Sequence, residues 1–247
     1  MLKKLRVDLH IHTCLSPCAD FKMMPTKIVK RAKWQGLDVI GICDHNSSEN
    51  VQAVKKAGII ESLKVIGGVE VTSREEVHIL TLFEGDEELF EFQKIIYENL
   101  HGTNNEKLFG EQVIVNEQDK VLNMNKRLLI GATELSINEI VEKVHSLRGL
   151  VIASHVDRER FSIMGQLGFI PEGLLLDGLE VSSKFASGMV KRDFYHYPLV
   201  TFSDAHTIED IGQNSTTFII DDVRVDEIKK ALSGEDGRSF ITHFGHC

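Results

Sequence analysis

Short apolar runs recur along the chain at "LRVDLHI", "LDVIGIC", "LKVIGGVEV", "VHILTLF", "GLVIAS", "GLEVS" and "PLVTFS". They are rich in Val, Ile and Leu, and helical patterns separate most of them. This rhythm predicts an α/β fold with seven strands buried on both faces of a largely parallel sheet. "TKIVKRAKWQG" follows Pro25 and stops at Gly36, which predicts a helix. "SSENVQAVKKAG" is expected to start on a Ser cap and end at Gly58, and "SINEIVEKVHSLRG" has the capping-box spacing Ser136 to Glu139. "DEELFEFQKIIYENL" and "VDEIKKALSG" complete the predicted helices.

The polar stretch 101–133 interrupts this rhythm, with two short alternating runs around Gln118 and Asp119. It reads as an inserted hairpin or lid-like excursion, or else as a solvated connection. Length and an apolar share of 42% over 247 residues allow a sizeable core, and a single domain over 1–247 is expected. The net charge of -9 argues against a broad nucleic-acid surface, though a local basic pocket is compatible with it. No apolar run is long enough to span a membrane, and "MLKKLR" leads directly into a strand, so a cytoplasmic protein is expected. Cys14, Cys18, Cys43 and Cys247 are few and irregularly spaced, which suits reduced thiols.

The polar residues are concentrated where chemistry is expected. Strand ends at one mouth of a parallel barrel collect active-site groups. Five of the seven runs end in a His or an acid: His10 and His12, Asp44 and His45, Glu70, His155, and Asp204 with His206. His78 starts its run instead, but a reversal after "VTSREEV" would return it to Glu70. The strand period puts Val7, Leu9 and Ile11 on one face and Asp8, His10 and His12 on the other. Burying so many ionisable groups together is costly without divalent cations as counter-charge. Imidazole and carboxylate donors suit zinc, manganese or iron, and the donors are too many for one ion.

Together "DLHIHT", "CDHNS", "GVEVTS…VHIL", "ASHVDR" and "FSDAH" resemble the motifs of the polymerase and histidinol phosphatase (PHP) family. The resemblance runs from about Val7 to His206. It implies a distorted seven-stranded TIM-like barrel, two or three divalent ions and phosphoesterase activity. It assigns His10, His12, Glu70 and Asp204 to one metal, and Glu70, His78 and His155 to a second. His45 and His206 would hold a third with an acid from the first loop. Pro17 stands where the short form of that loop has Asp, so Asp20 is the substitute; Cys14 or Cys18 is the sulfur alternative. Asp8 and Asp44 are expected to support ligands and not to bind metal.

The implied reaction is hydrolysis of a phosphomonoester or phosphodiester of a small metabolite, nucleotide or short oligonucleotide. Water activated between ions about 3.5 to 4 Å apart attacks phosphorus. Glu70, Asp204 and His206 are the catalytic candidates, the last two as a proton-handling pair. Arg158 resembles a phosphate-binding arginine, unless it only pairs with Asp157 or Glu159; Arg160 and Lys184 are weaker candidates. His101, His145, His196, His243 and His246 fall outside the motifs. The competing readings are C–N hydrolysis on a related barrel and a non-catalytic metal-binding accessory domain. No membrane partner is expected, and the sequence does not indicate an oligomeric state.

Overall fold

The structure is a computed structural model that describes residues 1–182, 194 and 196–242. Lys184, His243, His246 and Cys247 lie outside the described residues. Strands β1 (Lys3–Ile11), β2 (Val39–Ile42) and β3 (Lys64–Thr72) are parallel, with α1 (Pro25–Trp34) and α2 (Val51–Ile60) as crossovers. β4 (His78–Phe83) then folds back antiparallel on β3. After α3 (Asp86–Asn99) come the short α4 (Glu106–Phe109) and the hairpin β5 (Val113–Val115) and β6 (Val121–Met124). The chain continues through α5 (Ile137–Ser146), β7 (Leu150–Ala153), α6 (Ile163–Leu167), β8 (Gly178–Glu180) and β9 (Leu199–Val200). The last of the described elements are β10 (Thr216–Ile220), α7 (Val225–Ser233) and β11 (Ser239–Thr242).

Among the described residues the main sheet has nine strands, ordered β11-β10-β1-β2-β3-β4-β7-β8-β9. The sheet curls until its ends nearly meet: His12 N donates to Ala205 O (3.0 Å) and Ala205 N to His10 O (3.1 Å), tying the segment after β9 to β1. The result is a nearly closed barrel of the expected class. It departs from the expected seven largely parallel strands at one edge, and it bears out the expected return of the chain after β3. β10 and β11 are antiparallel additions, β10 pairing with the first half of β1. The reversal at β4 is real, and it puts Thr72 opposite His78.

Side-chain alternation divides the core. Val65, Val69, Val71, Ile79, Phe83, Val151 and Ala153 pack outward against the helices, with Ile28, Val54, Phe92 and Ile140 among their neighbours. Ile66, Leu80, Leu82, Leu150 and Ile152 face the barrel interior. Glu70 and His78 continue this inner face by the two-residue period. Gly68 lies between Ile66 and Glu70 on β3, where a Cβ would meet Thr81 O at 2.2 Å. In β1 the strict alternation expected from sequence fails. The pairing with β2 shifts between Asp8 and Ile11, so Val7 and Leu9 join the inner cluster while Ile11 joins the outer one. An irregularity of this kind re-aims side chains beside active sites.

The predicted helices form, and the Ser136–Glu139 capping box is present at α5. At α2 the N-cap is Asn50, which makes no side-chain capping bond, and the helix continues past Gly58. Gly58 is there for packing: a Cβ would lie 2.7 Å from both Leu63 O and Val65 Cγ2. Among the described residues no helix is long and apolar enough to cross a membrane.

Candidate metal centre

Glu70 is the hub of the barrel mouth. It is 1% exposed, and five imidazoles surround its two oxygens. His10 Nε2 (3.3 Å), His78 Nδ1 (3.2 Å) and His155 Nε2 (3.4 Å) approach Oε1. His12 Nε2 (3.4 Å) and His45 Nδ1 (3.2 Å) approach Oε2. Asp204 Oδ1 closes the group, 3.3 Å from His10 Nε2 and 3.2 Å from His12 Nε2. The donors come from the ends of β1 and β3, the start of β4, and the loops after β2, β7 and β9. Asp204 (φ 48°) and His155 (φ 31°) both have left-handed backbone, a strained conformation for such residues that is often found at functional sites.

Hydrogen bonds select which ring nitrogens face the centre. His10 Nδ1 donates to Glu180 Oε2 at 2.8 Å. His12 Nδ1 donates to Ser16 Oγ at 3.0 Å, and His206 Nδ1 to the Asp204 carbonyl at 2.8 Å. Each of these three rings therefore turns its Nε2 toward the cavity, where a cation would take the place of a proton. Burial opposes protonation of His10, but Glu180, Glu70 and Asp204 outweigh it and raise its pKa well above the usual imidazole value. Burial pulls His12 down to about 4; burial and the neighbouring His12 hold His45 well below its usual value. Burial works against ionisation of Glu70 and Asp204, yet His78 and His10 keep Glu70, and His10 and His12 keep Asp204, well below the carboxylate range.

This donor set fits divalent cations. His45 Nδ1, His78 Nδ1 and Glu70 Oε1 are buried without hydrogen-bond partners, and a cation among them would satisfy all three. Three groups have ligand atoms close enough to share an ion: His10, His12, Glu70 and Asp204; His45, Glu70 and His78; and His12, His45 and His206. His155 joins through Glu70. Asp20 belongs to none of these groups. Its exposed carboxylate accepts from Lys22 N (2.7 Å), while its backbone N–H donates to His206 O (2.8 Å).

Around the donors, Asp44 braces the first loop by accepting from Thr13 N (2.7 Å), Thr13 Oγ1 (2.7 Å) and Ser16 Oγ (2.6 Å). Asp8 accepts from Ser203 N and Gly212 N, both at 3.0 Å, and so anchors the loop carrying Asp204 and His206; burial pushes its pKa up to about 6. Cys14 is turned away toward Met24 and Val113, and burial lifts its thiol pKa to about 12. Cys18 is exposed and outside the ligand groups. Arg158 pairs with Asp204 Oδ2 at 2.5 Å and not with Asp157, whose carboxylate accepts from Ser182. Arg160 is exposed. His101 pairs with Glu134, His145 with Asp177, and His196 is exposed. Two further residues of the site lie outside the motifs: Glu180, where the "GLE" of β8 also ends on an acid, and Ser16, whose hydroxyl joins His12, Asp44 and the His45 N–H.

A family profile of the PHP domain matches residues 8–161. A 5'-3' exoribonuclease from Haemophilus influenzae is 32% identical over 80 residues, 31% of this chain and 28% of that protein. Lesion-specific endonuclease PfuEndoQ from Pyrococcus furiosus superposes over 96% of this chain and 58% of its own, with TM-score 0.72 and 20% identity. Endonuclease Q complexed with a 27-mer duplex bearing an abasic lesion gives TM-score 0.73 at 21% identity, again over 96% of this chain and 58% of that one. The chain thus matches less than two thirds of the length of these relatives. The profile covers more than half of the chain, and its match includes "DLHIHT", "CDHNS" and "ASHVDR"; the chain belongs to the PHP domain family.

Proposed function

We propose that this chain is a metal-dependent phosphoester hydrolase acting on a nucleotide or oligonucleotide phosphodiester. The observation that carries this reading is Glu70, one buried carboxylate with five imidazole nitrogens 3.2 to 3.4 Å away. Such a hub would suit a shared ligand of a site that holds two or three ions of zinc, manganese or iron. In this reading His10, His12, His45, Glu70, His78, His155, Asp204 and His206 hold the ions, within one barrel unit spanning the chain. Asp20 serves as a backbone brace for His206 and is dropped from the ligand set. Bound ions supply Lewis-acid activation of water and neutralise charge at phosphorus.

The chain's own groups would orient the substrate. Arg158 is held on Asp204 and 44% exposed, so it can turn its fork to phosphoryl oxygens. His206 has Nδ1 committed to the Asp204 carbonyl, which leaves Nε2 for an ion or for proton exchange with the leaving group. A nucleic-acid substrate is favoured by relatives that are an exoribonuclease and a lesion-specific endonuclease. The comparisons lend no support to the absence of a broad nucleic-acid surface inferred from net charge. Metal-loaded protein should cleave a dinucleotide phosphodiester faster than a cyclic amide. Amide cleavage without phosphoester cleavage would favour the C–N hydrolase reading, and no cleavage at all the accessory-domain reading.

A further inference from the structure

We propose that Phe161 is a stacking platform for the nucleobase next to the scissile phosphate, a specificity determinant that rests on the phosphoester reading above. Its ring lies parallel to the His78 ring, with centroids 4.7 Å apart and planes inclined by 11°. His78 Nδ1 in turn is 3.2 Å from Glu70 Oε1. Phe161 therefore covers the metal centre's rim at a distance of one ring. Although one face lies on His78, the residue remains 39% exposed, whereas Phe83, Phe92, Phe202 and Phe218 are buried in the core.

A singly exposed aromatic needs no explanation by itself. What distinguishes Phe161 is the backbone holding it there. Its φ is 55°, a left-handed conformation that is an outlier for a bulky residue. The surrounding turn enforces it. His78 N donates to Phe161 O at 2.8 Å, and Ser162 Oγ donates to Arg158 O at 2.5 Å. Gly165 permits the tight return, since a Cβ there would lie 2.1 Å from Glu159 O.

The same turn presents Arg158 at the centre and Phe161 three residues later at the rim. A planar cationic fork for phosphate and an exposed ring for a base form the pair needed to grip a nucleotide by both ends. Aromatic–base stacking contributes about 1 to 3 kcal/mol per base, which corresponds to roughly 5- to 150-fold in kcat/KM.

The test compares a dinucleotide with its abasic analogue, which keeps the phosphodiester but removes the base, using wild type, Phe161→Leu and Phe161→Trp. Wild type should prefer the base-bearing substrate. Phe161→Leu should reduce that preference at least about 5-fold, beyond any loss common to both substrates, and Phe161→Trp should retain it. Fluorescence of the Phe161→Trp variant should be quenched by a nucleotide and not by the abasic sugar phosphate. An unchanged preference in Phe161→Leu, including an equal loss on both substrates, overturns the proposal and leaves Phe161 as a support for His78. If wild type cleaves neither diester, the phosphoester reading itself fails.

Discussion

Glu180 Oε2 accepts a hydrogen bond from His10 Nδ1 at 2.8 Å, and both residues are fully buried. The carboxylate fixes the ring tautomer and increases the basicity of the Nε2 that faces Glu70 and Asp204. Outer partners of this kind typically contribute 10- to 100-fold to metal affinity. Glu180→Gln should therefore weaken divalent-ion binding about 10-fold in calorimetric titration, while circular dichroism shows an intact fold. Unchanged affinity would remove Glu180 from this role.

The hairpin β5–β6 is docked onto the loop that carries the first ligands. Buried Asn50 donates to Thr13 Oγ1 and Val113 O, both at 2.9 Å, and accepts from Val115 N at 2.9 Å. Cys14, Met24, Val113 and Val115 form a small apolar contact beside it. Asn50→Ala leaves buried groups unsatisfied and should cost about 2 to 3 kcal/mol in urea unfolding. Limited proteolysis should then cut within 113–124 earlier than in wild type.

Glu227 gives a pH-dependent signature remote from the metal centre. It is 1% exposed and accepts from Arg238 Nε (3.1 Å) and Nη2 (3.0 Å), and from Asp221 N (2.9 Å), joining α7 to the start of β11. The hydrogen bonds from Arg238, then that from Asp221, hold its pKa below the usual carboxylate value. A depressed carboxylate contributes stability above its unfolded-state pKa and loses it as pH falls through the folded value. Glu227→Gln should be less stable than wild type by about 2 kcal/mol at pH 7. That gap should narrow below about pH 4.5 in pH-stepped thermal melts.

Much of this arrangement was readable in the chain because strand ends and the two-residue period are local properties. "DLHIHT" and "SDAH" place His10, His12, Asp204 and His206 at strand ends, and the short "VTSREEV" link brings His78 back to Glu70. Other features depend on contacts distant in sequence. Glu180 becomes meaningful only when β8 lies across the barrel from β1. The shift in β1 between Asp8 and Ile11 comes from pairing with β2, which no alternation pattern encodes. "TTFII" and "SFIT" are short β-branched runs at the sheet edge, and their pairing with β1 and with each other makes them strands. Asp20 illustrates the converse: its sequence position suits a ligand, but the loop directs its backbone, not its carboxylate, to His206.

The most direct test of the central claim is metal content by elemental analysis alongside phosphodiester hydrolysis, for wild type and Glu70→Gln. Wild type should carry two or three zinc, manganese or iron ions per chain, lose activity to a chelator and regain it when metal is restored. Glu70→Gln should lose at least one ion and reduce kcat at least about 100-fold, a barrier increase of about 2.7 kcal/mol. Unchanged metal content and turnover in Glu70→Gln would contradict the account.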